Sequence, residues 1–215
     1  MMNILVGARD SPLSRAQFRE VQSSISVQIE PVWVETSGDL DRKKSLRDLD
    51  KSNFFTKELD EMLLRGEIRA AIHSAKDLPD PIACGLSVIA LTQSIDSRDV
   101  LVFREGETLE TLPRNARIGT SSMRREDVVK ALRSDLSFVD VRGNIGERLS
   151  LLDQRFVDGV VVAEAALIRL QLQSLNRIFL PGNTAAHQGR LAIVARTGDH
   201  EMQTLFDVLC EKNSD

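Results

Sequence analysis

Short apolar runs alternate with amphipathic stretches along this chain, at the two periods expected of strands and helices. Asn3 to Ala8 (NILVGA) predicts a buried strand. Ser11 followed by Pro12 reads as an N-cap with proline at the first helical position, so a helix is expected to about Ser24. Val27 to Thr36 (VQIEPVWVET) predicts a second strand. Pro31 cannot donate to a ladder, which places that strand at an edge or a bulge. Residues 37–53 are polar and charge-dense and predict a long loop of the lid type. Thr56 to Arg65 (TKELDEMLLR) predicts an amphipathic helix closed by Gly66. The apolar run Ala70-Ala71-Ile72 then reads as a strand that opens into His73-Ser74-Ala75-Lys76-Asp77.

The second half repeats the theme. Strands are expected at Ser87 to Gln93, Asp99 to Phe103, Ala116 to Gly119, Leu136 to Val141, Asp158 to Ala163 and Leu191 to Arg196. Helices are expected from Thr120-Ser121-Ser122 through Arg133, over Gly143 to Gln154, over Glu164 to Leu170, and over Glu201 to Glu211. Strands alternating with helices predict an α/β protein with mixed, mostly parallel sheets. There is no internal repeat and no low-complexity segment.

Composition narrows the class. The 215 residues suffice for one large domain or two small ones. A net charge of −4 argues against a general nucleic-acid binder. No apolar run approaches the ~20 residues of a membrane span, and the N-terminus lacks the basic and apolar regions of a secretory signal. A cytoplasmic protein is expected. Two cysteines, Cys84 and Cys210, make no disulfide framework, and the histidines at 73, 187 and 200 make no metal motif.

In open α/β sheets, ligands bind beyond the carboxyl ends of the strands. Four strand ends here are polar or charged. NILVGA leads into Arg9, Asp10 and Ser11; AAIHS leads into Lys76 and Asp77. ARIG leads into Thr120, Ser121, Ser122, Arg124 and Arg125; SFVDV leads into Arg142, Gly143, Asn144 and, one turn on, Arg148. Each is read as a helix start, where free amides and the helix dipole favour anions. Arg9, Lys76, Arg124, Arg125, Arg142 and Arg148 put six cations at such junctions of an acidic chain. Taken singly, each is as well explained as a solvated surface residue. Together they predict a ligand carrying several anionic groups. Asp77 is the one carboxylate among them, suited to stabilising positive charge or moving a proton. A helix cap or a salt bridge to Lys76 is its bland alternative, and His73 reads as a structural histidine.

The motifs ARDSPLSRAQ, FTKELD, IHSAKDLP, IGTSSMRRE, VRGNIGERLSLLD and VAEAALIRL, in this order, resemble those of porphobilinogen deaminase, also called hydroxymethylbilane synthase. That family joins four porphobilinogen units head to tail with loss of ammonia, in tetrapyrrole and haem biosynthesis. The resemblance implies two α/β domains like those of periplasmic binding proteins, with a cleft between them. Domain 1 would take residues 1–94 plus 190–215, and domain 2 residues 95–189. It implies Asp77 as the catalytic carboxylate, stabilising cationic azafulvene and pyrrole states. It implies that Arg9, Ser11, Lys76, Arg124, Arg125, Arg142, Arg148 and Arg169 hold carboxylates of primer and substrate. Ser74, Thr120, Ser122 and Gln188 would add to the binding set. Porphobilinogen and linear pyrrole oligomers are the implied partners, with a dipyrromethane cofactor, no metal, and a monomeric state.

The sequence also departs from the family. The cysteine that anchors the dipyrromethane belongs to a third domain, which would begin after Asp215. Neither Cys84 nor Cys210 matches it, so priming would be non-covalent or rest on a separate chain supplying that domain. Where the family has small residues and a glycine-rich lid, this chain has His187-Gln188-Gly189-Arg190 and DKSNFF (residues 50–55). A non-catalytic binder of a tetrapyrrole or other polycarboxylate is the alternative these departures keep open.

Overall fold

The computed structural model describes residues 4–41 and 53–210. They divide into two compact units. The first contains residues 4–41, 53–95 and 187–210, and the second residues 96–186.

In the first unit, β1 (Ile4–Arg9) lies at the centre of a parallel trio with β2 (Ile29–Val34) and β3 (Ala70–Ser74). β10 (Leu191–Arg196) pairs antiparallel with β3 and with β4 (Leu86–Leu91), giving the order β2-β1-β3-β10-β4. Pro31 sits in β2, an edge strand, where its missing N–H costs no ladder bond. Alternate residues face opposite sides. Val6, Ile72 and Ile193 meet Phe18 and Val21 of α1 (Pro12–Ser24), and Met202 and Phe206 of α7 (His200–Phe206). Ala71 and Val194 meet Leu59 and Leu63 of α3 (Lys57–Arg65). Gly7 makes this second layer possible: a Cβ there would lie 2.6 Å from Leu59 and 2.5 Å from Ile68.

The second unit repeats the plan with the order β7-β6-β8-β5-β9. β6 (Arg117–Gly119) runs parallel to β7 (Ser137–Val139) and to β8 (Gly159–Ala163). β5 (Asp99–Val102) runs antiparallel to β8 and to β9 (Arg177–Phe179). Leu101, Ile118 and Val161 face Val129 of α4 (Met123–Leu132). Val100, Val102, Val160 and Val162 face Leu152 of α5 (Ile145–Asp153) and Leu167 of α6 (Glu164–Arg169). In each sheet two of the four pairings are parallel.

Three expectations shift in detail. The chain after β2 forms a short helix, α2 (Ser37–Leu40), where a loop is expected. The rest of that expected loop, and the lid positions 50–52, lie outside the described residues. Lys76 and Asp77 belong to a single 3-10 turn, Ala75–Asp77, not to an α-helix start. Pro79 explains this, because the preceding Leu78 is held extended at φ −69°, ψ 140°. β9 was not expected at all, and its three residues are too few to show a period. No helix among the described residues is long and apolar enough to cross a membrane.

Candidate anion-binding sites

In the first unit the carboxyl ends of β1, β2 and β3 share one edge with the amino end of β10, because Leu191 pairs with Ser74. Arg9 is the last residue of β1 and pairs with Val34. Its guanidinium bonds both oxygens of Asp39, with Nε–Oδ2 at 3.2 Å, and lies 4.3 Å from the centre of the Phe55 ring. Asp39 also accepts from the amide and hydroxyl of Thr36, at 3.1 and 2.7 Å. Burial alone would raise the Asp39 carboxyl; Arg9 and Thr36 more than offset it and hold it below its usual value. The strand end therefore presents a guanidinium already matched by an internal carboxylate.

Ser11 caps α1, its Oγ accepting from the Ser14 amide at 3.1 Å. The Ser74 hydroxyl accepts from Gln17 at 2.8 Å, which ties α1 to β3. Lys76 Nζ donates to Oε1 of the buried Gln188 at 3.4 Å, and the Gln188 carbonyl accepts from Ser94 at 2.7 Å. Asp77 is half-buried one residue beyond Lys76. His187 holds a left-handed φ of 58°, and the Arg190 amide donates to its carbonyl. This edge thus brings together Arg9, Ser11, Ser74, Lys76, Asp77 and Gln188.

His73 sits behind this edge. It is 5% exposed and its Nε2 makes no hydrogen bond. Burial, reinforced by the charge of Arg9, lowers its pKa from 6.5 to about 4. It is a neutral core histidine, a structural role.

In the second unit the carboxyl ends of β6, β7 and β8 share an edge with the amino end of β5, because Asp99 pairs with Ala163. Thr120 is buried and its Oγ1 accepts from the Ser122 amide at 3.2 Å. Ser122 caps α4, accepting from Arg125. Arg124 and Arg125 follow in the first turn and both grip Asp99. Arg124 Nη2 reaches Oδ2 at 2.6 Å, and Arg125 reaches Oδ1 through Nη2 at 2.6 Å and Nε at 3.0 Å. Arg124 also donates to the Asn183 carbonyl at 2.9 Å. After β7 come half-buried Arg142, then Gly143 at φ 97°. Asn144 caps α5 and shares a capping box with Glu147. A Cβ on Gly143 would be strained at this φ and would lie 2.5 Å from the Glu147 carboxylate, which would have to move out of its capping position. Arg148 Nε donates to the Gly143 carbonyl at 2.8 Å, and Arg169 ends α6.

Sequence reasoning overlooked the two internal carboxylates, Asp39 and Asp99. Asp39 had a local signal, since Thr36-x-x-Asp39 is a capping pattern. Asp99 had none, because its partners lie 25 and 26 residues away across the sheet. Cys84 lies away from the cationic edge of its unit. Cys84 precedes Leu86, which pairs with Arg196 at the opposite end of β10 from Leu191. A strand of that length separates the two ends by about 17 Å. Cys210 packs against the α1–α7 core with its Sγ 4.0 Å from the Ile89 carbonyl.

Two compact α/β units, each a five-stranded mixed sheet, give the two-unit fold seen in periplasmic binding proteins. Solved structures with this fold include the GluR0 ligand binding core complex with L-glutamate (TM-score 0.51, 16% identity, covering 97% of this chain and 91% of that one). Another is an ABC transporter from Parabacteroides distasonis (TM-score 0.56, 13% identity, 96% and 70% covered). At these identities the likeness speaks for the fold alone. Sequence relatives speak for more. The family description "Porphobilinogen deaminase, dipyromethane cofactor binding domain" matches residues 4–204. Porphobilinogen deaminase of Caldicellulosiruptor saccharolyticus is 44% identical over 178 residues, covering 81% of this chain and 61% of that protein. That of Syntrophomonas wolfei is 36% identical over 222 residues, covering 100% and 72%. That of Clostridioides difficile is 35% identical over 223 residues, covering 100% and 74%. The chain belongs to the porphobilinogen deaminase family. It spans about three fifths to three quarters of the length of these relatives.

Proposed function

We propose that the chain acts as a hydroxymethylbilane synthase, condensing porphobilinogen units head to tail with loss of ammonia. The observation that carries the reading is that Asp77 stands beside Lys76 on an edge that also holds Arg9, within a family named for this activity. Each porphobilinogen carries an acetate and a propionate, so the growing chain is a polyanion. Arg9 and Lys76 in the first unit, and Arg124, Arg125, Arg142, Arg148 and Arg169 in the second, hold these carboxylates through charge-assisted bonds. Ser11, Ser74, Thr120, Ser122 and Gln188 keep the strand ends in shape: caps and inter-element bonds are what their side chains make here. Asp77 then works on the reacting carbon. When the aminomethyl C–N bond breaks and ammonia leaves, a carboxylate at this place stabilises the positive charge left on the pyrrole. It also takes the proton released when the next pyrrole carbon has bonded.

The dipyrromethane named by the family carries the same carboxylates, so the arginine set suits it, and it supplies the primer on which the chain grows. No thioether is assigned to this chain: Cys84 lies at the far end of the sheet from Arg9 and Lys76, and Cys210 packs against the apolar core. That placement favours one second reading, a polycarboxylate binder without turnover. The deciding experiment is the intact mass of the purified chain before and after incubation with porphobilinogen, with linear tetrapyrrole measured in the supernatant. Synthase activity produces tetrapyrrole, and an Asp77→Ala variant that folds normally produces none. A chain that retains pyrrole without making tetrapyrrole is the binder.

A further inference from the structure

Arg124 and Arg125 occupy the second and third positions of α4, behind the Ser122 cap. Cations are disfavoured there, since the first turn of a helix already carries partial positive charge. Two adjacent guanidinium groups add their mutual repulsion. Asp99 offsets both effects. It is 2% exposed, enters from the amino end of β5, one strand beyond β8, and divides its two oxygens between the two arginines. Arg125 is drawn into the protein with 11% of its side chain exposed, whereas Arg124 keeps 34%. Arg124 is fixed a second time by the Asn183 carbonyl. Three charges therefore form one rigid fork whose net charge is a single positive unit.

We propose that Asp99 is a positioning residue: it sets the spacing and direction of Arg124 and Arg125 for a ligand carboxylate, at the expense of positive charge. The proposal rests on the second unit's edge being an anion site. Charge and position make opposite forecasts. If only charge mattered, Asp99→Asn would raise the local charge by one and tighten anion binding. Positioning requires the reverse.

The test is calorimetric titration of the folded chain with butane-1,2,3,4-tetracarboxylate as probe, comparing wild type, Asp99→Asn and Asp99→Glu. Asn should weaken binding at least tenfold despite the added charge. Glu keeps the charge but moves the carboxylate outward by one methylene, and should weaken binding at least threefold while leaving the unfolding midpoint near wild type. In an Arg124→Ala background the Glu substitution should have a smaller effect, because only Arg125 is then left for it to displace. Tighter binding by the Asn variant, wild-type affinity in the Glu variant, or a full Glu effect without Arg124 would each overturn the proposal. If the wild type itself ignores the probe, the anion-site reading fails instead. Positioning is then read from the side-chain Nε resonances of Arg124 and Arg125, and resonances unmoved by Asp99→Glu would overturn it.

Discussion

At the scale of single residues, some charge is held inside the structure, and the proposed function assigns other charge to the ligand. His73 is the clearest structural case. Its pKa is lowered to about 4 in the folded chain, by burial first and by Arg9 second, against 6.5 unfolded. Above pH 6.5 the imidazole is neutral in both states and carries no penalty. As pH falls from 6.5 to 4 the unfolded chain takes up a proton that the folded chain refuses, so stability is lost across that window. The loss amounts to about 3 kcal/mol at ~1.4 kcal/mol per pKa unit. Urea unfolding of His73→Leu should show a flatter profile between pH 6.5 and 4 than wild type; equal slopes would refute this account of His73. Asp39 adds a separate loss at lower pH, because its folded pKa lies below 3.8 and its stabilisation goes as it protonates. The proposed function assigns Arg142 to the ligand. Arg142→Ala should weaken polycarboxylate binding about tenfold, in line with the ~1.5–3 kcal/mol of a hydrogen bond to a charged group. Unchanged affinity would remove Arg142 from the site.

At the scale of elements, the turns after the strands do most of the positioning. Gly143 is the sharpest example: its φ of 97° strains any side chain, and a Cβ there would displace the Glu147 carboxylate. Gly143→Ala should cost about 1–3 kcal/mol of stability through the strained φ and the disrupted capping box. It should also weaken polycarboxylate binding, since Arg148 is held on the Gly143 carbonyl. Chemical denaturation and titration check the two effects separately. The caps at Ser11, Ser122 and Asn144 were readable in the sequence because a cap involves only neighbours within one turn. The edge placement of β2 was readable from Pro31 for a similar reason. The 3-10 turn at Lys76-Asp77 was readable in principle from Pro79, but the alternation of strand and helix elsewhere argued for a helix. Long-range pairings such as Asp99 with Arg124 and Arg125 depend on strand order, which no local pattern encodes. Hence the placement of Arg9, Arg124 and Arg125 at strand ends was legible, while the carboxylates that hold them were not.

At the scale of the whole molecule, two α/β units each end one sheet edge in guanidinium groups, and the chain as a whole is acidic. The proposed function places the attraction for a polyanion at these strand ends. Binding should therefore weaken as salt rises, because the contacts are ion pairs screened over about 10 Å at 0.1 M salt. On the proposed function, Asp77 acts in releasing ammonia from porphobilinogen. The most direct measurement is ammonia released per porphobilinogen consumed by the wild-type chain and by Asp77→Ala, with the fold of each checked by its thermal midpoint. The account predicts one ammonia for each porphobilinogen consumed in the wild type. It predicts a rate at least 100-fold lower in the variant, as expected for loss of a proton-handling, charge-stabilising carboxylate. Equal ammonia release by a folded Asp77→Ala chain would contradict it.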